Sequence, residues 1–198
     1  MTGERGPRAL QRAETRRTLL RESRKLFAAQ GYAAVGLAEI VRAAGVTKGA
    51  LYHHFDSKTD LFRAVLAEVQ EEVAVRVAAA GDAQAEPWDQ LAAGCRAFLE
   101  AGADPDFQRI LLVDGPAVLG WAEWRALDEQ GSARHLVDAL TTLVEAGLLA
   151  PQPVQPLARL LSGAMNEAAL WLATTAEPGA LEDTWAALAR MLESLRAE

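Results

Sequence analysis

The stretch that decides the fold is Leu37-Ala-Glu-Ile40-Val-Arg-Ala-Ala44-Gly45-Val46-Thr47-Lys48-Gly49-Ala50-Leu51-Tyr52-His53-His54-Phe55. Ile40, Ala44, Val46, Leu51 and Phe55 are the apolar positions that lock two short helices together, and Gly45 supplies the tight turn between them. Thr47 is placed to cap the second helix. Lys48, Gly49, Ala50, Tyr52 and His53 are then left facing outward. A short helix that starts with small residues fits a DNA major groove, where its first residues meet the base edges.

Outward from this segment, helical periodicity runs along nearly the whole chain and strand alternation is almost absent. The fold class is all-α. A first helix is predicted from about Ala13 to Gln30, with Leu19, Leu20, Ser23, Leu26 and Phe27 inward and Gly31 as its left-handed stop. Two short helices follow, about Leu37–Ala44 and Lys48–His54. Asp56-Ser57 opens a long helix to about Ala80. Further helices are predicted over about Trp88–Ala101, from Asp104-Pro105 (a cap followed by a first-turn proline) to the bend at Asp114-Gly115-Pro116, over Trp121–Ala146 with an irregularity near Gly131, and over Pro156–Thr175 and Pro178–Arg196. Residues 147–153 read as a loop. The boundary between a head (residues 1–60) and a body (residues 61–198) falls near the start of the long helix.

The net charge of −7 hides an asymmetry. Residues 1–60 hold eleven Lys/Arg against six Asp/Glu, whereas the remainder holds nine against twenty-one. A basic head on an acidic body points to two jobs, one of them polyanion binding. The sole cysteine, Cys95, excludes an internal disulfide framework and a thiolate-rich zinc site, and fits a reducing compartment. Arg12, Arg16, Arg17, Arg21 and Arg24 break up the apolar core that a signal peptide needs, and no apolar run is long enough to span a bilayer. A cytoplasmic location without membrane contact is expected.

The set Gly31-Tyr32, Ile40 with Ala44-Gly45-Val46, Thr47-Lys48-Gly49, Leu51-Tyr52-His53-His54-Phe55, and Lys58 with Leu61-Phe62 resembles the TetR (tetracycline-repressor-like) family of regulators over about residues 13–65. The later helices match that family only in number and length. The resemblance implies a three-helix DNA-binding head, a divergent body that binds a small-molecule effector, and a homodimer held by the last two helices on a pseudo-palindromic double-stranded operator. It further implies a repressor released by its effector. Carried onto this chain, Thr47, Lys48, Gly49 and Tyr52 become base or phosphate contacts, and His53 and Lys58 phosphate contacts. Ala50 belongs to the same exposed surface. One departure stands out: Val35 and Gly36 occupy positions where the family usually has Ser or Thr. Gly36 remains an acceptable N-cap, but a hydroxyl–phosphate contact is lost, and affinity rests more on Arg42, Lys48 and the N-terminal arginines. Arg5, Arg8, Arg12 and Arg16 read either as a flexible arm reaching a minor groove or as a solvated basic face.

No Gly-rich phosphate loop, zinc-protease motif, nucleophile elbow or Cys–His arrangement is present, so catalysis is not expected, and no cofactor is called for. Asp114 reads as part of a turn. His53 and His54 project about 100° apart on a helix, which is poor geometry for one metal, and His135 reads as a core or pocket histidine. The body holds all five tryptophans. Phe98, Phe107, Trp121, Trp124, Met165 and Trp171 supply more soft apolar surface than a small helical core needs. They are the expected walls of an effector pocket, with His135, Asn166 and Glu167 as its polar groups. Leu181, Trp185, Leu188, Leu192 and Leu195 repeat at four–three spacing, a seam that wants a partner helix. At the end of the chain the reading favours a subunit interface, with Leu161, Ala164 and Ala168 contributing from the preceding helix.

Overall fold

The computed structural model describes residues 6–102 and 104–197, and among these every regular element is helical. Helix α1 (Pro7–Gln30) starts earlier than the sequence suggests, because Pro7 sits in the first turn, where its missing N–H costs nothing. Arg8, Arg12 and Arg16 therefore form part of a helix, which corrects the flexible-arm reading for them; Arg5 lies outside the described residues. The helix ends at Gly31, whose φ of 80° suits glycine and whose N–H donates to the Phe27 carbonyl.

Helices α2 (Leu37–Ala44) and α3 (Lys48–Tyr52) meet at Gly45 in the left-handed conformation, φ 65°. The Val46 N–H donates back to the Val41 carbonyl, a Schellman-type closure. Ile40, Leu51 and Phe55 are fully or almost fully buried, in one core cluster with Leu19 and Phe27 of α1. The head's centre is aromatic: Phe27 and Phe62 stack edge to face with centroids 5.3 Å apart, and Tyr32 closes the triangle 5.0 Å from Phe62. Phe62 belongs to α4 (Lys58–Asp82), so the division at 60/61 passes through a helix whose first turns complete the head's core. The α4 N-terminus is doubly capped. Ser57 accepts from the Asp60 N–H, and the Asp60 carboxylate accepts from the Asp56 N–H.

Further along, α4 packs against α5 (Pro87–Gly102), with Gly81 and Gly94 on the facing sides at ordinary contact distance. A Cβ on Gly94 would touch a methyl of Val77, and one on Gly81 the Gln90 carbonyl. The next segment departs from the expected simple helix. One turn of α6 (Pro105–Phe107) widens into a π-helix over Gln108–Asp114, which returns to α-geometry in α7 (Gly115–Leu119). Pro116 offers no N–H to the carbonyl four residues back, and a widened turn is one way a helix absorbs such a loss. Asp114-Gly115-Pro116 thus changes the pitch of the helix, which ends at Gly120 (φ 80°).

The predicted helix from Trp121 to Ala146 is two, α8 (Trp121–Gln130) and α9 (Ser132–Glu145), broken at Gly131. Helices α10 (Val154–Leu172) and α11 (Ala180–Glu193) complete the body. The predicted loop carries a short clasp: Leu149 bridges Arg196, and the Ala197 N–H donates to the Leu148 carbonyl. Among the described residues, no helix is long and apolar enough to cross a membrane.

The leucine seam on α11 turns inward. Leu188 and Leu192 belong to the core of the single chain, α11 packs on α5, and Leu161 is buried on α10. Assigning these three to a subunit interface is corrected accordingly: burial within one chain leaves no surface to offer a second. Trp185 and Leu195 are half-buried against the same core, Trp185 under the Arg96 guanidinium. Of the small residues on α10, Ala164 is exposed and Ala168 half-buried. The face left open on these helices carries Leu160, Gly163, Ala164 and Trp171 of α10, with Ala187 and Met191 of α11.

Candidate functional site

Two surfaces merit description as sites, one on the head and one inside the body. On the head, the Thr47 hydroxyl accepts from the Ala50 N–H at 3.1 Å and squares off the α3 N-terminus. With Thr47 committed to this cap, Lys48, Gly49, Tyr52 and His53 stand exposed along α3 and Ala50 is half-buried. The Lys48 ammonium lies 5.8 Å from the Tyr52 ring centroid, so the two side chains share one patch. Arg42 is exposed at the end of α2.

Across a shallow groove from Gly49, Ala50, His53 and His54 lie Arg8, Gln11, Arg12 and Thr15 of α1. The sequence marked those arginines as basic; their alignment beside α3 follows from the longer helix. Arg16 stacks over Phe55, 4.6 Å from the ring centroid. At the α2 N-terminus the departure at Val35-Gly36 is visible. Val35 is buried, Gly36 makes no side-chain cap, and its carbonyl accepts from Glu39 and Ile40.

Lys58 is placed differently from the expectation of a phosphate contact. Its ammonium donates to the Tyr32 carbonyl at 2.5 Å and lies over the Tyr32 ring. Burial lowers its pKa, opposed by the nearby Asp114 carboxylate. Asp114 in turn accepts from the Tyr32 N–H at 2.7 Å, and Arg109 donates to the Gln30 carbonyl at 3.2 Å. A Cβ on Gly31 would collide with the Arg109 guanidinium. The π-helical segment of the body thus holds the loop that links α1 to α2.

Partial burial lowers the pKa of His54, and Arg12, His53 and Arg16 push it the same way. A base with a depressed folded pKa binds fewer protons folded than unfolded. Stability therefore rises with pH from the depressed value up to the ordinary one near 6.5, and is lost as pH falls through that window. We expect His54 to titrate below 6.5 by NMR, and His54→Gln to flatten the pH dependence of unfolding there. A His54 resonance titrating above that value would contradict this environment.

Inside the body, α4, α5, α9 and α10 enclose a cavity of about 300 Å³. Of the residues expected to bind an effector, Phe98, His135 and Met165 line it. Phe107 does not: it is buried behind Phe98, edge to face at 5.7 Å. Trp121, Trp124, Asn166 and Glu167 line a different hollow of about 290 Å³ together with Arg125 and Arg159. The Trp124 indole N–H there donates to the Leu111 carbonyl at 2.8 Å, and Trp121 stands largely exposed. Trp171 lines neither and lies on the open α10 face.

Sequence reasoning missed Asp138 and Thr142, which continue a stripe from His135 along α9, and the α4 residues Val77, Gly81 and Asp82. The spacing of the stripe on one helical face was the available signal. Cys95 also lines the cavity, with burial pushing its thiol up to about 12, which leaves it protonated and inert. Among the described residues, no group of three or more His, Cys, Asp or Glu is arranged to hold a metal.

Comparison with known proteins bears on both halves. Residues 19–65 match the family described as bacterial regulatory proteins, tetR family, and residues 88–195 match the tetracyclin repressor-like C-terminal domain. The chain is 51% identical over 49 residues to the HTH-type transcriptional regulator AcrR of Shigella flexneri, covering 25% of this chain and 23% of that protein. It is 33% identical over 119 residues to the HTH-type transcriptional repressor Rv1474c of Mycobacterium tuberculosis, covering 56% of this chain and 58% of that one. These matches thus span from about a quarter to just over half of the curated relatives' lengths. A solved TetR-family transcriptional regulator from Pectobacterium atrosepticum is similar throughout, with 36% identity, a TM-score of 0.78, and coverage of 96% of this chain and 97% of that one.

Proposed function

Because this chain belongs to the TetR family of HTH-type transcriptional regulators, we propose that it is a repressor that grips a pseudo-palindromic operator as a homodimer and lets go when a small molecule binds. The observation that carries this reading is the head: a capped five-residue α3 projects Lys48, Gly49, Tyr52 and His53 outward, with Arg8 and Arg12 across a groove. In it, Thr47, Lys48, Gly49, Ala50 and Tyr52 meet bases and nearby phosphates, and Arg42, His53, Arg8 and Arg12 follow the backbone. Lys58 joins them only by leaving the Tyr32 carbonyl. A protein acting on the chromosome works in the cytoplasm.

The effector occupies the cavity between α4 and α9, against Phe98, His135 and Met165. The division of labour is residues 1–60 for DNA and 61–198 for effector and dimer. A ligand changes DNA affinity only if it prefers one arrangement of the two heads. Helix α4 reaches from Phe62 in the head to Val77 and Gly81 on the cavity wall, so a tilt imposed at one end moves the other. The Asp114–Tyr32 and Arg109–Gln30 contacts give the body a second hold on the head.

Fragments of bacterial genomic DNA incubated with the purified protein provide the test. A discrete set should be retained at moderate salt, with affinity falling steeply as salt rises, because each neutralised phosphate releases counterions. Retention no better than bulk DNA would overturn the proposal.

A further inference from the structure

We propose that the body cavity selects an organic monocation, an amine or ammonium group carried on an apolar body. This rests on the reading of that cavity as the effector site. The argument is the distribution of charge around the cavity. Its deep surface is apolar and soft, built by Leu91, Phe98, Leu136 and Met165, all buried. The exposed lining residues include Asp82 of α4 and Asp138 of α9. Asp82 is the last residue of α4, where the helix dipole also favours positive charge. Neither carboxylate makes an ion pair or a side-chain hydrogen bond among the described residues, and no lysine or arginine there lines the cavity.

The contrast with the neighbouring hollows is direct. The one beside Trp121 contains Arg125 and Arg159, and a third contains Arg125, Arg134 and Arg159. The α4–α9 cavity alone among these three has acidic side chains and no lysine or arginine to offset them. A ligand carboxylate would enter past two like charges and find no lysine or arginine inside, so its desolvation is repaid only by hydrogen bonds from groups such as Ser132 or Gln90. A cationic head remaining at the mouth meets both carboxylates while its apolar body displaces water from the interior.

A second observation is an unpaired polar group on the cavity wall. Ser132, nine-tenths buried, lines the cavity, and its hydroxyl makes no hydrogen bond among the described residues. That hydroxyl is not among the sealed, unpartnered atoms of the core, so it opens onto the cavity, where a guest can take up its hydrogen bond. Beside it stand His135 and Gln90, which give the apolar body of a ligand room for one or two polar substituents.

Three probes of one shape and different charge test the proposal by calorimetry on the full-length protein: phenylbutylamine, phenylbutanol and phenylbutyrate. The amine should bind about tenfold tighter than the alcohol, the scale of one or two partly screened charge contacts, with the carboxylate weakest. Asp82→Asn with Asp138→Asn should bring the amine down to the affinity of the alcohol. Thermal unfolding of the variant, at the same midpoint as the parent, shows that the loss is one of charge and not of fold. A carboxylate binding as well as the amine, an amine preference that survives the double substitution, or binding of none of the three would overturn the selectivity. Retention of operator DNA is measured in parallel on the unliganded protein. Its loss would end the regulator reading and leave the charge selectivity standing, so the two failures are distinguishable.

Discussion

Replacing Lys48 and Tyr52 together by alanine should lower affinity for the selected operator by about a hundredfold or more while affinity for bulk DNA falls far less. Contacts to base edges carry about 1–3 kcal/mol each, and every 1.4 kcal/mol is about tenfold. The two side chains share one patch on α3, so their losses will not add independently. Both are exposed, and neither belongs to the core made by Ile40, Leu51 and Phe55, so helical content and unfolding midpoint should stay at the parental values. The Thr47 cap also survives, since it involves only Thr47 and the Ala50 N–H. A double variant that keeps full operator affinity would remove α3 from the interface.

The second large effect concerns assembly. Leu160→Glu with Met191→Glu should convert the proposed dimer to a monomer and reduce operator affinity by two orders of magnitude or more. Two linked heads bind one duplex with an effective concentration that separate heads lack, a gain of about 10²–10⁴. In the single chain Leu160 is 73% and Met191 52% exposed, so the monomer should tolerate both glutamates. Leu188→Glu or Leu192→Glu would be a different experiment. Those leucines are buried under α5, and a charge there has no partner, so unfolding would precede any dissociation. Sedimentation of the exposed pair decides: a variant that remains dimeric moves the interface away from the open α10–α11 face.

The head was legible in the sequence because its requirements are local. Gly45 must turn left-handed, Thr47 must cap, and Ile40, Leu51 and Phe55 must meet; each demand is met within the single stretch from Leu37 to Phe55. The body was legible as helices and much less as sites. Periodicity identified the leucine seam on α11, yet an amphipathic helix does not say whether its apolar side meets its own chain or another's, and here it meets α5. Composition alone makes tryptophans candidate pocket walls. Which hollow a side chain enters depends on helix rotation: Phe98 and Met165 reach the α4–α9 cavity, Trp121 and Trp124 reach another. The π-helical segment left no trace in the periodicity, although Pro116, by lacking an N–H, hinted at a local change of pitch.

The most direct measurement of the central claim is a footprint of the protein on a duplex recovered by selection. Two protected major-groove patches should appear, related by a two-fold axis and centred about one or more whole turns apart, roughly 34–36 Å per turn. The Lys48→Ala, Tyr52→Ala variant should leave both patches open at the same protein concentration. A footprint without two-fold symmetry, or one that the double variant reproduces unchanged, would contradict the account.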